Sequence, residues 1–142
     1  MSGKYFLDNN IFVYSFDSSS PNKQVKAKEL IKGALENHTG CISSQVIQEF
    51  INVATRKFAN PLSIPDCKKY INTVMSPLCE VYVDIELYSK ALEIMERWQY
   101  SFYDSLILAS AVQAECSILY SEDLQHKQKI NDLVINNPFP KA

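Results

Sequence analysis

Short apolar runs alternate with longer amphipathic stretches along the whole chain, and this alternation restricts the fold more than any other feature. The runs lie at Lys4 to Leu7, Cys41 to Ser43, Glu80 to Val83, Ser117 to Tyr120 and Asp132 to Ile135. Each is too short for a helix and suits a buried strand. The stretches between them carry helix signals. Ser20 with Pro21 opens a helix that runs to about Asn37, an N-cap followed by proline at the first helical position. Ser43 or Ser44 caps the next, whose apolar face holds Val46, Ile47, Phe50, Val53, Ala54 and Phe58 before Asn60-Pro61 stops it. Another runs from near Pro65 to about Met75, and Asp84 caps one to about Trp98. Ser101-x-x-Asp104 is a capping-box pattern before Ser105 to Val112, a segment apolar nearly all round and therefore buried. Ile11 to Phe16 is expected to be a short helix, and a short polar helix is expected after Asp123. Strands alternating with helices imply an α/β domain with a largely parallel sheet.

At 142 residues the chain suits a single domain, 1–142. No apolar run is long enough to cross a bilayer. Met1-Ser2-Gly3-Lys4 leads straight into the first strand without the apolar segment of a secretory leader, so a cytoplasmic location is expected. The four cysteines, Cys41, Cys67, Cys79 and Cys116, have no zinc-site spacing and read as small core thiols. The net charge of −2 is not the basic balance of a nucleic-acid binder.

In parallel sheets the ligand crevice lies beyond the carboxyl ends of the strands, where strand order reverses. Four acids share that address. Asp8 follows the first strand and Asp123 the fourth. Glu49 lies on the helix after the second strand, on the flank of its apolar face, and Asp104 begins the buried helix. Each has a local explanation: Asp8, Asp104 and Asp123 as caps, Glu49 as a solvated flank residue. Together on one rim they would repel one another unless a cation neutralised them. An all-carboxylate set suits Mg²⁺ or Mn²⁺, and the chemistry implied is phosphoryl-centred.

The residues around these acids form four motifs: Phe6-Leu7-Asp8-Asn9-Asn10-Ile11, Gln48-Glu49-Phe50, Tyr103-Asp104-Ser105-Leu106-Ile107 with Ala109, and Tyr120-Ser121-Glu122-Asp123-Leu124-Gln125-His126. In order and spacing the chain resembles the PIN domain family, and within it the VapC-type toxins of bacterial toxin–antitoxin pairs. The resemblance implies an α/β/α sandwich on a mainly parallel five-stranded sheet ordered 3-2-1-4-5. It implies a metal-dependent ribonuclease, usually dimeric, held inactive by a cognate antitoxin. It carries over Asp8, Glu49, Asp104 and Asp123 as the catalytic, Mg²⁺- or Mn²⁺-binding quartet. Asp8 and Asp104 would be the primary ligands, and Asp123 would complete that site or serve a second metal. Glu49 would orient a water, with Asn10 and Ser121 holding carboxylates in place. The chain departs from the family pattern at Asn9, where many members have Thr or Ser, and at Gln125, where many have a further Asp. Glu122 is out of register with the quartet.

Without the quartet the rest of the chain is net +2. Lys23, Lys26, Lys28, Arg56, Lys57, Arg97, Lys127 and Lys129 are available for phosphate contacts, though most suit an ordinary solvated surface. Tyr100, Phe102 and Tyr103 form an aromatic cluster suited to core or dimer packing, or to stacking on a base. The leading expectation is an endoribonuclease with RNA as substrate and an antitoxin and a second copy as partners. The alternative is a catalytically silent module binding RNA or an antitoxin-like protein. An aspartyl-phosphate phosphatase would need a second Asp where Asn10 stands, and a receiver domain would need a lysine near the last strand, where Ser117 to Tyr120 has none.

Overall fold

The computed structural model describes residues 3–139. Met1 and Ser2 of the leader and residues 140–142 of the tail lie outside the described residues. In chain order the elements are β1 (Tyr5–Leu7), α1 (Asn9–Ser15), α2 (Pro21–Asn37), β2 (Gly40–Ser43), α3 (Ser44–Arg56), α4 (Ile64–Tyr70), β3 (Cys79–Val81), α5 (Ile85–Trp98), α6 (Phe102–Gln113), β4 (Ile118–Tyr120), β5 (Lys129–Ile130) and β6 (Leu133–Asn136). The strands form one sheet in the order β3-β2-β1-β4-β6-β5. All pairs are parallel except β5 with β6, and helices cover both faces.

The expected order 3-2-1-4-5 is therefore present with one strand added at the edge. That strand replaces the expected polar helix after Asp123. Residues 121–128 run as bends and turns, and the backbone N–H of Lys127 donates to the Ile135 carbonyl at 2.7 Å. Lys127 and Asn131 have φ of 71° and 54°, conformations a helix cannot contain. Cross-strand bonding to β6 outweighs the weak helix propensity of a short polar segment. Two further boundaries differ from expectation. α3 ends at Arg56, ahead of the Asn60-Pro61 stop. α4 ends at Tyr70 and continues as a wider π turn over Ile71–Met75 and a 3₁₀ turn over Ser76–Leu78.

The core lies on both sides of β1, whose Phe6 and Leu7 are fully buried. α6 is buried continuously from Ser105 to Ala111, as an element apolar on all sides requires. On α3 the buried residues Val46, Phe50 and Ala54 recur every four positions, and the Phe50 ring stacks on Tyr70 at 5.1 Å. Cys41, Cys67 and Cys116 are buried free thiols, and Cys79 is half-buried. β1 has β2 on one side and β4 on the other, so strand order reverses at β1. The crevice beyond its carboxyl end receives Asp8 from β1 and Ser121 from β4.

Candidate active site

Asp8 is the residue after β1, with extended backbone angles that end the strand and start α1. Its Oδ1 accepts from the Asn9 N–H at 2.7 Å, an N-cap contact, and its Oδ2 accepts from Ser121 Oγ at 2.7 Å. Ser121 Oγ in turn accepts from the Asp123 N–H at 3.2 Å. Asn10 Nδ2, one step into α1, donates to Asp123 Oδ2 at 3.1 Å. Asp8, Ser121, Asp123 and Asn10 thus close a ring of contacts between two chain segments more than a hundred residues apart. The Asp8 backbone N–H donates to the Tyr120 carbonyl at 3.1 Å and locks the same junction.

Asp104 lies in the first turn of α6, where its N–H receives the Ser101 cap at 3.3 Å. Glu49 projects from α3, and its Oε2 accepts from Gln45 Nε2 at 3.3 Å. The same Gln45 nitrogen donates to the Tyr103 carbonyl at 3.1 Å, so a buried amide links the Glu49 side chain to the residue before Asp104.

All four predicted acids line one open cleft of about 500 Å³. Two more carboxylates line it. Glu122 accepts from Lys23 at 2.6 Å and from the Tyr14 hydroxyl at 2.7 Å. Burial pushes its carboxyl up, but Lys23 and Tyr14 outweigh that and leave it below the usual range. Asp17 closes the far side, fixed by N–H and O–H bonds from Ser19. Asp17 is not among the acids singled out from the sequence; the Asp17-x-Ser19 spacing is its one local sign of order. Among the described residues the lining contains no Lys or Arg. Of the basic residues considered from sequence, Lys23 stands at the edge, paired to Glu122, and Arg97 lies over the Trp98 ring. Tyr100 bonds through its hydroxyl to Gln128, in packing rather than in the cleft.

Burial, with like charge crowded nearby, raises two of the carboxyls. Burial pushes Asp8 up to about 6, against the hydrogen bonds from Ser121 and Asn9, with repulsion from Asp123 and Asp104 adding to it. Burial and then the Asp8 charge push Glu49 up to about 7, with Gln45 opposing and Asp104 and Asp123 contributing. A cation in the cleft would relieve both. The donors are carboxylate, amide and hydroxyl oxygens, the ligand set of a hard divalent ion. Among the described residues no three His, Cys, Asp or Glu side chains are already gathered as metal ligands. The oxygen donors of the cleft fit an ion that keeps several waters, as Mg²⁺ does.

A family model described as PIN domain matches residues 5–130. The chain belongs to the PIN domain family. Solved structures agree on the fold. A toxin–antitoxin complex from Klebsiella pneumoniae aligns with TM-score 0.66 at 13% identity, covering 92% of this chain and 96% of that one. VapC20 of Mycobacterium tuberculosis, described as a Sarcin-Ricin loop cleaving toxin, aligns with TM-score 0.61 at 20% identity, covering 84% and 90%. VapBC2 from Rickettsia felis, bound to a DNA fragment from their promoter, aligns with TM-score 0.57 at 17% identity, covering 93% and 96%. A comparison with curated protein sequences gives no match. The PIN domain assignment accounts for the sheet order and for the meeting of the acids at the β1–β4 switch point.

Proposed function

We propose that this PIN domain is a divalent-metal-dependent endoribonuclease that hydrolyses RNA phosphodiester bonds, the toxin of a type II toxin–antitoxin pair acting in the cytoplasm. The observation that carries the reading is a cleft lined, among the described residues, by six carboxylates and no basic side chain, at the switch point of the sheet. Mg²⁺ or Mn²⁺ bound there would supply a water of lowered pKa and stabilise charge on the phosphoryl oxygens. Asp8 and Asp104 would be its primary ligands, with Asp123 completing the site. Glu49, its carboxyl raised to about 7, suits the receipt of a proton from an attacking water near neutral pH. Ser121 and Asn10 hold the Asp8 and Asp123 carboxylates in place.

The descriptions of the structural relatives as a Sarcin-Ricin loop cleaving toxin and as a toxin–antitoxin complex and VapBC2 support both the substrate class and an antitoxin partner. Purified protein is expected to cleave RNA in Mg²⁺ or Mn²⁺, to stop in excess EDTA, and to lose at least about a thousandfold in rate in Asp8→Asn or Asp104→Asn, a loss on the scale of one electrostatic catalytic group. Undiminished cleavage in EDTA would sink the mechanism.

One observation favours a second reading. The acids are not gathered as direct metal ligands among the described residues, which suits a silent module that binds RNA or an antitoxin-like protein. Calorimetric titration separates the two: Mn²⁺ binding that disappears in Asp104→Asn supports the enzyme, and partner binding without Mn²⁺ binding supports the module.

A further inference from the structure

Beside the acid cleft, and sharing Glu49 and Tyr103 with it, is a second groove of about 520 Å³ between α3, the start of α5 and the start of α6. Its α3 wall is a single stripe of that helix. Gln45, Gln48, Glu49 and Asn52 stand at the i, i+3, i+4, i+7 positions that share one helical face. The opposite wall is aromatic. Phe102 packs against Tyr88 at 6.0 Å and Tyr103 at 5.3 Å, and the Tyr103 side chain, 66% exposed, stands next to Asp104.

The three amides flank the one acid on the stripe. Uncharged amides both donate and accept, so they can read a base edge without repelling the phosphates beside it. Gln48 and Asn52 make no side-chain hydrogen bond among the described residues, and both are exposed. Gln45 is buried and braced by its bonds to Glu49 and the Tyr103 carbonyl, which fixes the junction between groove and cleft. Amides on one wall and aromatic faces on the other are the chemistry by which unpaired RNA bases are held, stacked on rings and hydrogen-bonded at their edges.

We propose that this groove is a nucleobase subsite: it seats the base flanking the scissile phosphate, with Tyr103 as stacking platform and Gln48 and Asn52 as edge readers, and so sets cleavage specificity. The assignment of that base to a scissile phosphate rests on the ribonuclease reading above; base binding itself is measurable without turnover. Continuity with the acid cleft through Glu49 and Tyr103 favours a base over a protein occupant, since a base seated in the groove stays linked to a phosphate at the carboxylates.

The test uses full-length Asp104→Asn protein and a short fluorescein-labelled oligoribonucleotide, read by anisotropy against oligonucleotides carrying one abasic position each. One abasic position is expected to weaken binding by about five- to a hundredfold, the scale of one stacked base. Tyr103→Ala, or Gln48→Ala with Asn52→Ala, is expected to abolish that difference. If the variants keep the parent's intact-to-abasic ratio, the proposal is overturned.

Sequencing of cleavage ends from a randomised RNA pool gives the second readout. The Gln48→Ala/Asn52→Ala protein is expected to show a flattened base preference beside the cut, and an unchanged preference overturns the proposal. If the same double variant instead converts a dimer to a monomer in sedimentation, the groove is a contact between copies and the proposal falls. Wild-type protein that cleaves no RNA while its intact-to-abasic difference persists would remove the ribonuclease reading and leave the base subsite standing.

Discussion

Asp8 combines two roles that pull against each other. As a cap and strand end it must be buried, at 7% exposure, and as a prospective metal ligand it must be charged. Burial with neighbouring acids raises it to about 6. A carboxyl whose folded pKa exceeds its unfolded value of 3.8 gives stability at low pH that is lost as pH rises through about 6. Glu49 adds a loss in the same direction through about 7. Metal-free protein is therefore expected to be less stable at pH 8 than at pH 5, by about 1.4 kcal/mol from Asp8 alone. Asp8→Asn keeps the shape and can still accept from the Asn9 N–H while donating to Ser121. It should raise the melting temperature of the metal-free protein at pH 8 while abolishing cleavage. Thermal denaturation from pH 5 to 8, with and without Mg²⁺, checks this. Added Mg²⁺ should stabilise wild type and leave Asp8→Asn unmoved; a melting temperature independent of pH in wild type would contradict the account.

At the scale of elements, the tightest joint is where α2 crosses the start of β2. A Cβ on Gly40 would lie 2.4 Å from Ala34 Cβ and 2.8 Å from the Tyr5 ring, with the Ala34 backbone at 3.2 Å. Gly40→Ala is expected to destabilise by about 1–3 kcal/mol, the usual penalty of overpacking; urea denaturation measures it, and an unchanged midpoint would mean that α2 yields freely. A glycine shortly after a helix suggests a left-handed cap. The left-handed cap is His38, with φ 56°, and Gly40 serves close approach instead. That difference shows where legibility ended. The caps Asp84 and Ser101 and the buried character of α6 were readable because neighbours a few residues apart determine them. The β5–β6 hairpin was not read, although Ile130-Asn131-Asp132-Leu133 places a polar pair between apolar residues, because pairing with β4 and β6 decides it. The four acids were found through their motif positions and the strand-end rule, but their closeness depends on the β1–β4 register. Asp17 had neither sign, and only the path of the chain after α1 brings it to the cleft.

Beyond the base groove, α5 carries exposed apolar side chains of its own. Tyr82, after β3, and the α5 residues Ile85 and Leu92 are exposed, with Ile85 at 80% and Leu92 at 56%, whereas Tyr88 between them lines the groove. Ile85 and Leu92 stand at i and i+7, on one side of a helix whose Leu87 and Ala91 face the core. Scattered exposed hydrophobics need no explanation, but a contiguous helical stripe marks an interaction surface. A second copy of the chain is the expected occupant, since closed two-fold dimers bury the same patch from both partners. Leu92→Glu would place two like charges near the axis of such a dimer in a desolvated interface. Sedimentation equilibrium at micromolar concentration is expected to give a dimer for wild type and a monomer for Leu92→Glu, with a melting temperature that depends on concentration only in wild type. Neither residue lines the acid cleft, so the monomeric variant also reports whether Mn²⁺ binding requires the dimer. A wild type that sediments as a monomer would leave the α5 stripe to a different protein, and the antitoxin would be the first to try.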